Sequence, residues 1–442
     1  MKTANHNDSS KPITKRASVL AVLALLLATV FAPAAQAQSQ TRLIVRDSLG
    51  LNHLNLLCLL LRCNVQYGLG DPQGQLFLVT VPLSFNLLRL DLNLGIVDIE
   101  LDQKVRTAGA AAGPAPSYLS DKNPVNYYGS TVWHGYLAQP AYSIIGADKA
   151  QSAYGSTGSG VTVAVIDTGA DTTHPALQGV LVSGYDFTRN TSGGSEKHDV
   201  SASPNMNNAE PGQVNQSTVA LLDQSTVALL DGNGSYAAFG HGTMTAGLVH
   251  LVAPQAKIMP LKAFGPDGTG YASDVMRAIY YGVKNGADVL SMSFSFTTSS
   301  SELANAISYA QKQGVICVAA AGNDGQKVAV YPAALPGVID VASTNNYDVQ
   351  SSFTNYGAPP VDLAAPGEAI MSPYPYGTYA AAWGTSFSTP LVAGTAAAML
   401  GKNGACSSSA VPNGLVKSAA WISNANLNNL RVDAYQSIQA CH

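Results

Sequence analysis

Between residues 161 and 343 the chain alternates two kinds of segment, and this alternation restricts the fold more than anything else in it. Val161-Thr162-Val163-Ala164-Val165-Ile166 is an apolar, largely β-branched run that ends on Asp167-Thr168-Gly169. Runs of the same kind recur at 257–264, 287–293, 315–321 and 338–343, and helical stretches at 273–285 and 302–313 lie between them. Continuous apolar strands are buried on both faces. Strands separated by helices pair in parallel, with the helices covering the sheet. The expected fold is α/β, a three-layer sandwich around a mostly parallel central sheet. Functional groups in such sheets gather at the carboxyl ends of strands, which singles out Asp167.

Two further stretches supply groups that work with a carboxylate. His241-Gly242-Thr243-Met244-Thr245-Ala246-Gly247 puts a histidine ahead of a small-residue helix able to pack close to a sheet. Gly384-Thr385-Ser386-Phe387-Ser388-Thr389-Pro390 runs into ten small or apolar residues, Leu391 to Leu400. Proline is tolerated in the first turn of a helix, so Ser386 is expected at or near the start of a buried helix. Its hydroxyl there faces unpaired N–H groups and the positive end of the dipole. Alone, such a serine reads as a cap. With an aspartate and a histidine earlier in the chain it reads as a nucleophile, with a general base and a base-orienter.

Together these motifs resemble the subtilases, the subtilisin-like serine peptidases. Asp167-Thr168-Gly169 matches the family's D-[ST]-G, His241 to Gly247 its H-G-T-x-x-A-G, and Gly384 to Pro390 its G-T-S-x-[AS]-x-P. Ala319-Ala320-Ala321-Gly322-Asn323-Asp324-Gly325 resembles the segment that carries the oxyanion-hole asparagine. The resemblance runs from about residue 145 to 400. It implies a subtilisin-like sandwich and peptide-bond hydrolysis through an acyl-enzyme, with Ser386 as nucleophile, His241 as base, Asp167 as its orienter and Asn323 in the oxyanion hole. Asn323 separates the chain from the sedolisins, which place an aspartate there. His174 resembles a framework position, while His198 and His250 fall in no motif. The resemblance also implies that substrate lies along Ser293-Phe294-Ser295, with Ala321 and Gly322 among the binding residues. The family usually has glycine where Ser295 stands, so a narrower cleft is expected. Val330 matches the floor of the main specificity pocket and makes it shallow and apolar, which favours small or medium uncharged side chains. The family's strong calcium site needs a loop after the catalytic histidine. Residues 247–254 run straight on, so that strong site is not expected and no cofactor is required, while calcium elsewhere, for instance in the insertion at 188–234, stays open. The rival readings are a catalytically silent subtilase-fold protein that binds peptides, and an esterase or peptide transferase using the same triad.

The rest of the chain frames this domain. Residues 1–37 carry Lys2, Lys11, Lys15 and Arg16 against Asp8, then an apolar run and Ala35-Gln36-Ala37. This is the pattern of a secretory signal peptide, so the protein is expected outside the cell or in the periplasm. The net charge is −4, and the basic leader leaves the remainder more acidic still. That offers no footprint for nucleic acid or an anionic membrane. Residues 38–106 read as a small α+β module resembling an inhibitory prodomain, and 107–117 as an Ala/Gly/Pro linker. The catalytic domain is placed at 118–400. A helical cap at 401–442 is expected to be closed by Cys406 and Cys441. Cys58 and Cys63 can also pair, and Cys317 reads as a packed thiol. The polar insertion at 188–234 holds an identical tandem repeat, Q-S-T-V-A-L-L-D, at 216–223 and 224–231. Expected partners are polypeptide substrates and the chain's own prodomain, with the enzyme a monomer.

Overall fold

The computed structural model describes residues 40–87, 90, 94–106, 114–200, 219–221, 237–357, 361–401 and 405–441. The expected leader and most of the expected linker lie outside the described residues. The N-terminal unit consists of β1 (Gln40–Asp47), α1 (Leu51–Leu61), β2 (Asn64–Gly68), β3 (Leu76–Pro82) and β4 (Ile96–Leu101). Its strands form an antiparallel sheet in the order β2-β3-β1-β4. Helix α1 lays Leu54, Leu57 and Cys58 on Leu43, Val45, Phe77 and Val79. A Cys58–Cys63 disulfide clasps the end of the helix. Strand β2 is absent from the sequence reading because Asn64-Val65-Gln66-Tyr67-Gly68 carries only two apolar side chains.

A short strand, β5 (Lys104–Arg106), leaves this unit and leads towards the main domain. That domain is organised by one sheet. Its strands are β6 (Thr162–Asp167), β7 (Gly184–Asp186), β8 (Thr191–Gly193), β9 (Lys257–Lys262), β11 (Val289–Met292), β12 (Ile316–Ala320), β13 (Ile339–Thr344) and β14 (Leu363–Pro366), with β17 (Ala420–Trp421) and β18 (Leu430–Arg431) at one edge. The order is β8-β7-β9-β6-β11-β12-β13-β14-β18-β17. All neighbours are parallel except the two edge pairs β8–β7 and β17–β18. Alternate strand residues point to opposite faces, so each strand feeds two cores. Val163, Val165, Val289 and Val318 face α2 (His241–Val252) and α5 (Thr385–Leu400). Ala164, Ile166, Leu290 and Ala319 face α3 (Ala272–Lys284) and α4 (Ser301–Lys312). These are the three expected layers.

Helix α2 runs uninterrupted to Val252. Helix α5 is buried on every side from Thr385 to Met399, as its small, apolar sequence requires. The C-terminal region departs from the expected helical cap. Besides α6 (Val411–Lys417) and α7 (Ala434–Gln439), it contributes β17 and β18 to the sheet. Val411, Leu415, Ala434 and Ile438 belong to the main core, so the region is part of the domain. Two-residue strands are too short to show any alternation in the sequence. The expected Cys406–Cys441 bond forms, and Cys317 is a buried free thiol.

Two other strands, β15 (Ile370–Tyr374) and β16 (Thr378–Ala382), form a hairpin that leads into α5. From the tandem repeat only Val219–Leu221 is described, and it pairs with β16. The N-terminal unit docks through β5, whose Arg106, Val105 and Lys104 pair antiparallel with Thr269, Gly270 and Tyr271 of β10 (Thr269–Tyr271). Val105 is buried in the α3/α4-side core. Glu100 accepts hydrogen bonds from the Ser301 and Glu302 N–H groups at the start of α4, at 2.6 and 3.2 Å. Asp102 accepts from the Ser273 N–H at the start of α3, at 2.8 Å. Arg46 reaches Glu302 with two guanidinium nitrogens, at 2.7 and 2.5 Å.

Candidate active site

Three element ends converge at the carboxyl edge of the sheet. Asp167 is the last residue of β6, His241 the first of α2 and Ser386 the second of α5. His241 Nδ1 lies 2.7 Å from Asp167 Oδ1. The aspartate is held in turn by the Thr168 N–H on Oδ1 at 2.7 Å and by the Thr245 hydroxyl on Oδ2 at 3.1 Å. The imidazole lies tilted against the Phe387 ring, with centroids 5.3 Å apart, next in sequence to Ser386. His241 Nε2 is buried and makes no hydrogen bond. It shares this with both nitrogens of His250 and with other buried atoms among the described residues; what sets His241 apart is the carboxylate on its Nδ1.

Ser386 is buried, and its surroundings explain the proline in the motif. Pro390 lies inside α5, beyond the first turn where the sequence suggests it. It has no N–H to give the carbonyl four residues back, which is that of Ser386. The Ser293 hydroxyl donates to that carbonyl instead, at 2.9 Å. The Ser386 hydroxyl donates to the Ser293 carbonyl at 3.2 Å. Ser293 is thus cross-linked to the serine as well as following β11, a role the sequence reading missed. Asn323 Oδ1 accepts from both the N–H and the hydroxyl of Thr385, at 2.9 Å each. Its Nδ2 lies 3.3 Å from where a Cβ on Gly384 would stand. Gly384, at φ 147°, leaves that approach open.

Phe294 is buried against Phe264, with ring centroids 5.1 Å apart, so its side chain belongs to the core. Ser295 is half-buried. Ala321 and Gly322 are buried beside Asn323. Val330 is buried, and its Cγ2 comes within 3.4 Å of where a Gly322 Cβ would be. It therefore fills space next to the asparagine segment. His174 proves structural, with Nε2 2.9 Å from the Thr378 carbonyl and Nδ1 accepting from Ala176 N–H.

One ionisable group here carries no sequence signal. Glu196 is completely buried behind Asp167 and His241. Burial pushes its pKa up to about 8, opposed by hydrogen bonds from Thr243, Gly240 and Thr168 and by the Lys262 charge. Lys262, also completely buried, donates to the Thr168 and Phe264 carbonyls and pairs with Asp199 at 2.8 Å. Glu196 stands in the polar insertion, where a lone glutamate looks like a solvated side chain.

Comparison with known proteins agrees with this geometry. The profile of the subtilase family matches residues 158–437. Thermitase from Thermoactinomyces vulgaris is 34% identical over 298 residues, covering 64% of this chain and 90% of thermitase. Subtilisin NAT from Bacillus subtilis subsp. natto is 30% identical over 315 residues, covering 70% and 72%. The crystal structure of a cold adapted subtilisin-like serine proteinase superposes with a TM-score of 0.50 at 28% identity, over 63% of this chain and 90% of that one. A carboxyl-edge aspartate, a histidine bonded to it, a buried serine at a helix start and this family match agree: the chain belongs to the subtilase family and is a subtilisin-like serine endopeptidase.

Proposed function

We propose that Ser386, His241 and Asp167 cleave peptide bonds through an acyl-enzyme. Ser386 Oγ turns from the Ser293 carbonyl and attacks the peptide carbonyl carbon, while its proton passes to His241 Nε2. The carbonyl oxygen becomes negative and is met by the Asn323 amide and the Ser386 N–H. The imidazolium, held by Asp167, gives its proton to the leaving amine as the C–N bond breaks. Water then repeats the sequence and releases the acid. The observation that carries this reading is the His241 ring at the start of α2, fixed through Nδ1 by the carboxylate that ends β6. Ser386→Ala should abolish amide hydrolysis in a protein that still folds, measured on a peptide library with a serine-directed inhibitor as control. Cleavage at the parent's rate would overturn the assignment. Peptide binding without turnover by the parent would favour the catalytically silent alternative.

The N-terminal unit reads as an inhibitory prodomain. Peptides bind many proteins through antiparallel strand pairing, and β5 pairs in that way with β10, the two making a two-stranded sheet across the units. Its Glu100 and Asp102 carboxylates meet two helix N-termini, where negative charge is favoured. In this reading the leader is removed on secretion, the linker is cut by the enzyme itself, and the released monomer acts on polypeptides. Val330 limits the side chain accepted before the cut to small or medium uncharged types. Ser295 narrows the groove.

A further inference from the structure

The buried carboxylate of Glu196 sits at a junction that the triad does not use. Helix α2 begins at His241, and its cap residue is Gly240. Four N–H groups at a helix start need acceptors, and a cap side chain normally supplies one. Gly240 cannot supply it, because it has φ 89° and a Cβ there would stand 2.2 Å from the Tyr374 ring. Glu196 takes over from 44 residues away, accepting the Gly240 N–H on Oε2 at 2.8 Å and the Thr243 N–H on Oε1 at 3.2 Å.

The same two oxygens hold two hydroxyls. Thr168 donates to Oε2 at 3.0 Å, and Thr243 donates to Oε1. Each hydroxyl also accepts a main-chain N–H, from Gly242 at 2.9 Å and from Asp171 at 2.7 Å. Those N–H groups fix the direction of both hydroxyl protons, towards Glu196. Thr168 follows Asp167 and its N–H bonds to the Asp167 carboxylate. One carboxyl group therefore ties the loop that carries the base-orienter to the helix end that carries the base.

We infer that Glu196 is a positioning residue for the hydrolytic reaction, setting the His241–Asp167 geometry by capping α2 and gripping Thr168 at once. The inference rests on the triad reading above. A glutamine cannot substitute. Both Glu196 oxygens accept a main-chain N–H, so either orientation of the amide sets an NH₂ against Gly240 or Thr243.

The experiment measures peptide hydrolysis in the secreted parent, Glu196→Gln and Thr243→Val, per active site titrated with a serine-directed sulfonyl fluoride and on chains shown by intact mass to share one N-terminus, with Ser386→Ala as the inactive control. A misplacement of about 1 Å at a catalytic group costs as much as 10²-fold. Glu196→Gln should therefore lower kcat about 10–100-fold, with KM within about twofold of the parent. Thr243→Val, which keeps the branched shape and removes one hydroxyl donor, should lower kcat less, in the same direction. The low-field proton resonance of the His241–Asp167 hydrogen bond should shift or broaden in both. A role limited to folding would reduce the number of titratable sites and leave kcat per site and the resonance in place. That result in folded Glu196→Gln overturns the inference. If Glu196→Gln yields no folded protein, Thr243→Val decides in the same way. Hydrolysis that survives Ser386→Ala would instead refute the triad reading. Loss in Ser386→Ala with parent-level kcat in Glu196→Gln refutes this inference alone.

Discussion

His241 and His250 open and nearly close the same helix, and their surroundings divide their roles. His241 has a carboxylate on one nitrogen. His250 is fully buried, edge-on to Tyr127 at 5.4 Å between ring centroids. Burial pushes its pKa down to about 4, with the Pro254 carbonyl pulling the other way. A base whose folded pKa lies below its unfolded value takes up its proton more readily unfolded. Its penalty is absent above about pH 6.5 and grows as the pH falls to about 4. His250→Phe should therefore flatten the loss of stability between pH 6.5 and 4, a loss on the order of 3 kcal/mol in the parent, read from denaturant midpoints of the Ser386→Ala protein. Asp340 works in the opposite direction. Burial, with the Asp362 charge adding to it, pushes its pKa up to about 8, and its Oδ1 has no hydrogen-bond partner. Stability held below about pH 4 is lost as the pH rises towards 8, so Asp340→Asn should raise the midpoint at pH 8 and leave it nearly unchanged at pH 4. Asn323→Ala should lower kcat by about 100-fold, the magnitude established for such a donor within this family, with KM little changed. Asp167, His241, Asn323 and Ser386 are legible in the sequence because their neighbours form motifs. Glu196 is not legible, since its importance comes from its burial and from a glycine 44 residues away that cannot cap its own helix.

At the scale of elements, long apolar segments are easy to read and short or half-exposed ones are not. The central strands and α3 and α4 end within two residues of the positions expected from composition, because propensity and periodicity agree over many residues. Strand β2 and the hairpin Pro124–Tyr127/Ser130–Trp133 escape detection. The hairpin turn, Tyr128-Gly129, has positive φ at both residues, 51° and 94°, a demand hidden by the tyrosine. The contact of α5 with α2 depends on Gly394, where a Cβ would stand 2.7 Å from the Val252 Cβ. Gly394→Ala gains helix propensity but must push the two helices apart. We expect a net loss of about 1–3 kcal/mol, measured by equilibrium unfolding, and a slower enzyme, since α5 also carries Ser386.

Across the whole molecule, the N-terminal unit and the peptidase domain share a strand pairing, two capped helices and the Arg46–Glu302 pair. Parallel sheets close many long-range contacts and fold slowly. The docked unit holds the starts of α3 and α4. Intact-mass measurement of secreted parent and Ser386→Ala should show the parent shortened by about 70–80 residues beyond the leader, and the mutant unshortened. Full-length chains from both would make the unit a permanent domain. This organisation was partly legible, since an α+β module ahead of the main domain appears in the sequence. The strand pairing was not, because Lys104-Val105-Arg106 means nothing until its edge exists.

Helix α5 is enclosed on every side, and Ser386 stands at its start. A serine bonded to Ser293 after β11, next to a Thr385 held by Asn323 and on a helix that only a finished sheet can bury, has no working geometry in a half-made molecule. The capacity to cut therefore arrives with the last stage of assembly. An incomplete copy lacks that geometry, so correct assembly is itself a condition of cutting.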